Sequence, residues 1–226
     1  MVEERENPHI SAEQQRQVYH RVVADLVLEY TPSQGRVLDV GCGVGHVLEA
    51  VAAGDSSIAI TAADPYPMCL EATLARVPTA RTVKISETKI EIGSLGSEYD
   101  TCIMSHSLEH TLDPASTLRD LLSITRSGGH LVLAVPNPVR PTVFFGNLRR
   151  KHYVNRGHAY AWDPSHWRNF LERIMDLDVV AYAHDEVRFV PGGIVRRLPI
   201  FQKLEIAAGR MAPWWTFSNI AVVRRP

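Results

Sequence analysis

The chain has 226 residues, 45% of them hydrophobic, and a formal net charge of −1, which is enough length for one well-buried core and too even a charge for a broad nucleic-acid footprint. No apolar run approaches the length of a membrane span, and the polar start Met1-Val-Glu-Glu-Arg-Glu-Asn-Pro8 does not read as a signal peptide. Three cysteines (Cys42, Cys69, Cys102) without metal-type spacing read as small buried residues in a reducing compartment, and the cytoplasm is the expected address.

Residues 11 to 30 open with Ser11 as an N-cap and Gln14 three positions on, then repeat Val18, Val22, Leu26 and Tyr30 on one face, which predicts an amphipathic helix. Strands and helices then alternate: strand 36 to 40, helix 45 to 53, strand 58 to 63, helix 66 to 77, strand 81 to 85, strand 99 to 104, helix 113 to 126 and strand 130 to 135. This βα rhythm predicts an α/β three-layer sandwich, a mostly parallel sheet with helices on both faces and ligands at the carboxyl ends of the strands. After Pro136-Asn-Pro138 the rhythm breaks until a helix that begins near Pro164. A gap of that length is usually functional or mobile. Helix 164 to 175, strand 177 to 184, a helical stretch near 200 to 211 and a last strand at 219 to 223 complete a single domain over 1–226, with a helical arm at 1–33 and lid segments at 137–163 and 187–216.

The densest signal is Arg36-Val-Leu-Asp-Val-Gly-Cys-Gly-Val-Gly-His46, a buried strand that runs into a glycine-rich turn and then a helix. Gly41, Gly43 and Gly45 remove side chains that would keep a ligand off the backbone, and a tight turn without a ligand would use the same residues. The next strand ends at Asp64, nineteen positions after Gly45. There a carboxylate can accept both ribose hydroxyls of a nucleoside. Asp64-Pro65 also fits a helix N-cap followed by proline at the first helical position, and both roles are compatible.

The spacing Asp39-x-Gly41-x-Gly43-x-Gly45 resembles motif I of class I S-adenosylmethionine (SAM) methyltransferases. Tyr99–Met104 resembles that family's fourth strand, Leu108-Glu-His-Thr-Leu-Asp-Pro114 its LEH-x-x-DP segment, and Ser127-Gly-Gly-His-Leu-Val-Leu133 its GG strand entry. Gly157-His-Ala-Tyr-Ala-Trp162 is similar to a signature of small-molecule methyltransferases related to the ubiquinone-biosynthesis O-methyltransferases. The resemblance covers roughly residues 35 to 184 and the final strand. It implies a seven-stranded Rossmann-like sheet in the order 3-2-1-4-5-7-6 with strand 7 antiparallel, and SAM over strands 1 and 2. It further implies a cofactor site made by Asp39, Gly41, Cys42, Gly43, Gly45, Asp64, Pro65 and Ser105. Glu87 and Thr88 are candidates for the adenine contact, although the usual Gly-Asp is missing there.

Transfer to an alcohol needs a proton acceptor or a metal ion. His106, Glu109 and His110 form an H-x-x-E-H array in which helical spacing would put His106 beside Glu109 or His110. With His158 from the segment folded over the same pocket, the set resembles the E-x-x-E-H-plus-histidine cation site of some relatives, with His106 in place of the first glutamate. His158, His110 and His106 are thus candidate bases, and His106, Glu109, His110 and His158 candidate ligands for Mg²⁺ or Mn²⁺. The same Glu-His pair also packs beneath the methionine moiety in relatives without metal. Arg149-Arg-Lys-His152 and Arg196-Arg197 could grip a polyhydroxylated acceptor, or be solvated faces. Trp162, Trp167, Trp214 and Trp215 could wall an acceptor site, or be core. The expectation is a SAM-dependent O-methyltransferase acting on a small molecule, a sugar or oligosaccharide ahead of a phenol or lipid. A non-catalytic SAM-binding protein is the competing class. No nucleic-acid partner is expected, and a homodimer is left open.

Overall fold

The computed structural model describes residues 18–86, 92–143, 157–188 and 199–226. In chain order these form α1 (Val18–Tyr30), β1 (Arg36–Val40), α2 (His46–Gly54), β2 (Ala59–Asp64), α3 (Pro67–Arg76), β3 (Arg81–Lys84), α4 (Ile92–Leu95), β4 (Tyr99–Ser105), a 3-10 turn (Leu108–His110), α5 (Pro114–Ile124), β5 (Thr125–Pro136), α6 (Pro164–Arg168), β6 (Asp178–Ala183), α7 (Pro199–Met211), a second 3-10 turn (Pro213–Trp215) and β7 (Ser218–Arg224).

The sheet runs β3-β2-β1-β4-β5-β7-β6. β1 is parallel to β2 and β4, while β7 is antiparallel to both β5 and β6. The seven-stranded order with an antiparallel last strand is therefore as the motifs implied. Because alternate side chains of a strand point to opposite faces, Leu38 and Val40 of β1 enter one core with Leu118, Leu121, Trp167 and Phe170. Val37 enters the other, with Val23, Val27, Val47 and Leu48. Coverage on both faces explains why the central strands read as nearly unbroken apolar runs.

Three local expectations need correction. The first helix is turned from its expected phase: α1 buries Tyr19, His20, Val23, Ala24 and Val27, and the predicted stripe Val18, Val22, Leu26 and Tyr30 is only half-buried. The apolar tally missed the phase because Tyr19 and His20 are polar aromatics; Ser11 lies outside the described residues. Second, Asp64 does not cap α3. Tyr66 is the N-cap and Pro67 takes the first helical position, so Pro65 lies in the bend before the helix. Third, the helix predicted over 164 to 175 begins at Pro164 behind the Asp163 cap, whose carboxylate accepts the Ser165 and His166 N–H groups, but from Asn169 to Ile174 it widens to π-helical turns.

Candidate active site

The glycine turn is held from several sides. The N–H groups of Gly41 and Cys42 donate to Ala63 O at 2.8 and 3.2 Å, Thr73 Oγ1 donates to Gly43 O at 3.0 Å, and Ser107 Oγ donates to Val40 O at 2.8 Å. Gly41 has φ +78°, and a Cβ there would lie 2.4 Å from Ser107 Cβ. Gly45 has φ +83°, and its Cβ would meet Thr73 Oγ1 at 2.7 Å. Both positions therefore require glycine twice over, for conformation and for space.

The turn faces a narrow hollow of about 50 Å³ lined by Asp39, Gly41, Cys42, Gly43, Ser105 and His106, and also by Tyr19, His20, Val44, His46 and Val47. Seven-residue strand β4 delivers Ser105 and α1 delivers Tyr19 and His20. Several lining groups are buried polar atoms without a hydrogen-bond partner among the described residues: Asp39 Oδ1, Ser105 Oγ and both ring nitrogens of His46, whose Nδ1 lies 3.8 Å from Glu49 Oε2. Each such atom costs about 1–3 kcal/mol unless something satisfies it. The Asp39 carboxyl is pushed up to about 8, first by burial and then by the neighbouring Asp64. A site that combines an orphaned carboxyl, imidazole nitrogens and a hydroxyl beside a glycine cradle fits a zwitterionic amino-acid group.

Asp64 lies at the carboxyl end of β2, but it is not among the residues that line the hollow. Its Oδ2 accepts the Gly43 N–H at 2.9 Å and its Oδ1 the Tyr66 N–H at 2.9 Å. Burial pushes the Cys42 thiol up, so it contributes shape rather than a nucleophile. Glu87 and Thr88 lie outside the described residues, as do Arg149-Arg-Lys-His152 and Arg196-Arg197.

The histidine array divides. Glu109, His110 and His158 bring one ligand atom each to within 4.8 Å of one another, and the His110 and His158 rings meet edge-on at 4.8 Å. His110 Nδ1 donates to Gly157 O at 2.6 Å. That bond leaves the lone pair on Nε2, which lies 3.9 Å from Glu109 Oε1. Ala159 and Tyr160 N–H both donate to Glu109 O, at 2.8 and 3.2 Å, so the returning segment is tied to the 3-10 turn.

His106 is not in this trio. It precedes the 3-10 turn with φ +54°, so the helical spacing that would align it with Glu109 does not exist there. Its ring forms a triangle of near-parallel rings with Tyr19 at 4.2 Å and Phe217 at 5.6 Å, and its Nε2 lies 2.8 Å from Ser218 Oγ. Burial first, then Arg140, His20, Arg188 and His158, holds its imidazole well below the usual histidine range. It is a neutral wall of the hollow. Sequence reasoning missed Tyr19, His20 and His46; the alternative α1 phase through Val23 and Val27 would have found the first two. Of the tryptophans, Trp162 and Trp167 are core, whereas Trp214 and Trp215 are exposed.

Comparison with known proteins agrees with this geometry. Residues 11–181 match the model of a methyltransferase domain. A ubiquinone biosynthesis O-methyltransferase of Marinobacter nauticus is 27% identical over 161 residues, 70% of this chain and 66% of that protein; another, from Paracidovorax citrulli, is 31% identical over 47% of this chain and 46% of its own length. The chain thus spans about half to two thirds of these relatives. Among solved structures, the Haloferax volcanii complex of the Trm112 methyltransferase activator with a methyltransferase described as putative aligns with TM-score 0.66 at 16% identity, covering 97% of this chain and 95% of that one. The plantazolicin methyltransferase in complex with SAH aligns at 0.63 and 16%, covering 97% and 91%. With the domain match running from α1 into β6 and the sheet order that motif I implied, the chain belongs to the family of SAM-dependent methyltransferases.

Proposed function

We propose that the protein transfers a methyl group from SAM to a hydroxyl of a small molecule. The observation that carries this reading is the set of orphaned polar groups around the glycine cradle, with a Glu-His-His trio formed by Glu109 and His110 of the turn after β4 and His158 of the segment that returns over it. Asp39 would take the cofactor's ammonium, His46 with His20 its carboxylate, and the glycine turn its close backbone approach. Bound there, SAM supplies a methyl on a cationic sulfur, so alignment and a dry pocket matter more than a protein nucleophile.

His158 is suited to take the acceptor's proton, and His110, with its tautomer held by Gly157 O, to orient it. The trio's one carboxylate oxygen and two imidazole nitrogens also suit Mn²⁺ better than Mg²⁺. A cation held there would polarise the acceptor oxygen. The relatives' names favour a phenolic hydroxyl over the sugar that the arginine runs suggested.

Labelled SAM offered to matched phenols, sugars and lipids tests the reading, and methylation of a phenol is the expected result. SAM uptake without transfer to any acceptor would favour a binding protein. Activity lost in EDTA and restored by Mn²⁺ would support the cation; full activity in EDTA would leave the trio to proton transfer alone.

The amino-acid end has its own test. His46→Ala should weaken S-adenosylhomocysteine binding at least about tenfold, the scale of one lost charge-assisted hydrogen bond. Binding of methylthioadenosine, which lacks both amine and carboxylate, should not change. Equal loss of both in calorimetry would mean that His46 only shapes the turn.

A further inference from the structure

Surface helices of globular proteins normally turn an apolar stripe inward and polar residues outward. α7 half-buries Phe201, Ile206 and Ala208 and turns a second apolar stripe outward. Ile200, Leu204, Ala207 and Met211 follow at intervals of four, three and four, and all are exposed; Ile200 is 62%, Leu204 56% and Met211 87% exposed. Its inward face carries Glu205 and Gly209, both buried.

Two contacts hold that orientation. Val187 N–H donates to Glu205 O at 3.0 Å, and a Cβ at Gly209 would lie 2.1 Å from Asp185 O. Rotating the helix to bury its stripe would drive larger side chains into the Asp185 backbone. The 3-10 turn after α7 adds Trp214 and Trp215, each about half exposed. A continuous run of large apolar groups of this kind on a helix and its end marks an interaction surface.

Charge selects the occupant. The exposed ionic residues of α7 are Lys203 and Arg210, and its one acid, Glu205, is buried. An apolar stripe with a basic shoulder, formed by Lys203 and Arg210 on one flank, and tryptophans at its end is the composition of a helix that lies in a bilayer interface. The surface also lies at the end of the sheet that carries the site, since Ser218, which begins β7, contacts His106.

We propose that the outward face of α7, continued by Trp214 and Trp215, docks on an anionic lipid bilayer. Sedimentation of the full chain with phosphatidylcholine vesicles, with and without phosphatidylserine, tests it at low and high salt. Expected is cosedimentation with the anionic vesicles that falls as salt rises. Leu204→Glu and Met211→Glu should each weaken it at least about tenfold, and Lys203→Glu or Arg210→Glu about fivefold. Unchanged melting temperatures would exclude misfolding as the cause. No cosedimentation of the wild type at low salt overturns the proposal, as does binding that the four variants leave intact. A wild-type dimer in light scattering that Leu204→Glu makes monomeric would assign the stripe to a second copy instead.

Discussion

His158→Ala should lower turnover by about 10²- to 10³-fold, the usual contribution of a positioned base, while S-adenosylhomocysteine affinity stays unchanged. The expectation follows from where the imidazoles around the hollow stand. His106 clusters with the rings of Tyr19 and Phe217, faces Ser218 Oγ and is held neutral by burial. His46 is buried in the wall of the hollow, its Nδ1 3.8 Å from Glu49 Oε2. His110 spends Nδ1 on Gly157 O. His158 is half-buried and sits on the segment whose next two N–H groups are tied to Glu109 O. It can therefore be held against an acceptor without being part of the cofactor cradle.

His110→Ala should cost less than His158→Ala if His110 orients and His158 accepts the proton. Single-turnover rates and equilibrium binding, measured on the same variants, separate the two quantities. Loss of S-adenosylhomocysteine affinity in parallel with turnover would make His158 part of the cofactor site. The reverse ranking of the two variants would move the base to His110.

The sheet was readable because its signals are local. Apolar strands such as Val37–Val40 and Leu131–Val135, punctuated by glycine or proline, state their type within a few residues. Gly41 and Gly45 announced the turn for a reason the structure makes concrete, since neither position has room for a Cβ. Much of the wall opposite that turn was not readable. Hydrophobic periodicity places Val18 and Val22 by their apolarity, and it ignores Tyr19 and His20, whose burial depends on a cavity lined from α1, β1 and β4 together.

His106 illustrates a second limit. An i, i+3 argument presupposes helical backbone, and a residue at φ +54° has left that geometry before the turn begins. The π-helical turns at Asn169–Ile174 are a third case, because they alter register without altering composition. The first two of these failures sit at the carboxyl ends of the strands and the third on the path into β6, and in each tertiary contacts decide the backbone.

Asp39→Asn should make the ligand-free protein more stable at pH 8 and the cofactor complex weaker. In the fold this carboxyl is raised from 3.8 to about 8 by burial and by Asp64. Between those values the folded chain holds a proton that the unfolded chain has released. Stability therefore declines as pH rises from about 4 to 8, by an amount on the order of a few kcal/mol for a group this buried. Asparagine carries no charge at any of these pH values and removes that decline, so the variant should melt higher than wild type at pH 8. The gap should close toward pH 4.

Cofactor binding should move the other way. An ammonium group placed against Asp39 favours the ionised form, so binding expels the proton and wild-type affinity for S-adenosylhomocysteine climbs with pH up to about 8. The variant should lose at least about tenfold in affinity at pH 8, as for other truncated charge-assisted bonds, and its affinity should no longer vary with pH. Calorimetry in two buffers of different ionisation enthalpy counts the released proton directly. A wild-type complex that releases none, or an Asp39→Asn variant that melts lower at pH 8, would mean that the carboxyl holds the glycine turn rather than waiting for a cation. The predicted pairing of higher stability with weaker binding is what an orphaned buried acid at a binding site entails: its cost to the empty fold is recovered when the ligand arrives.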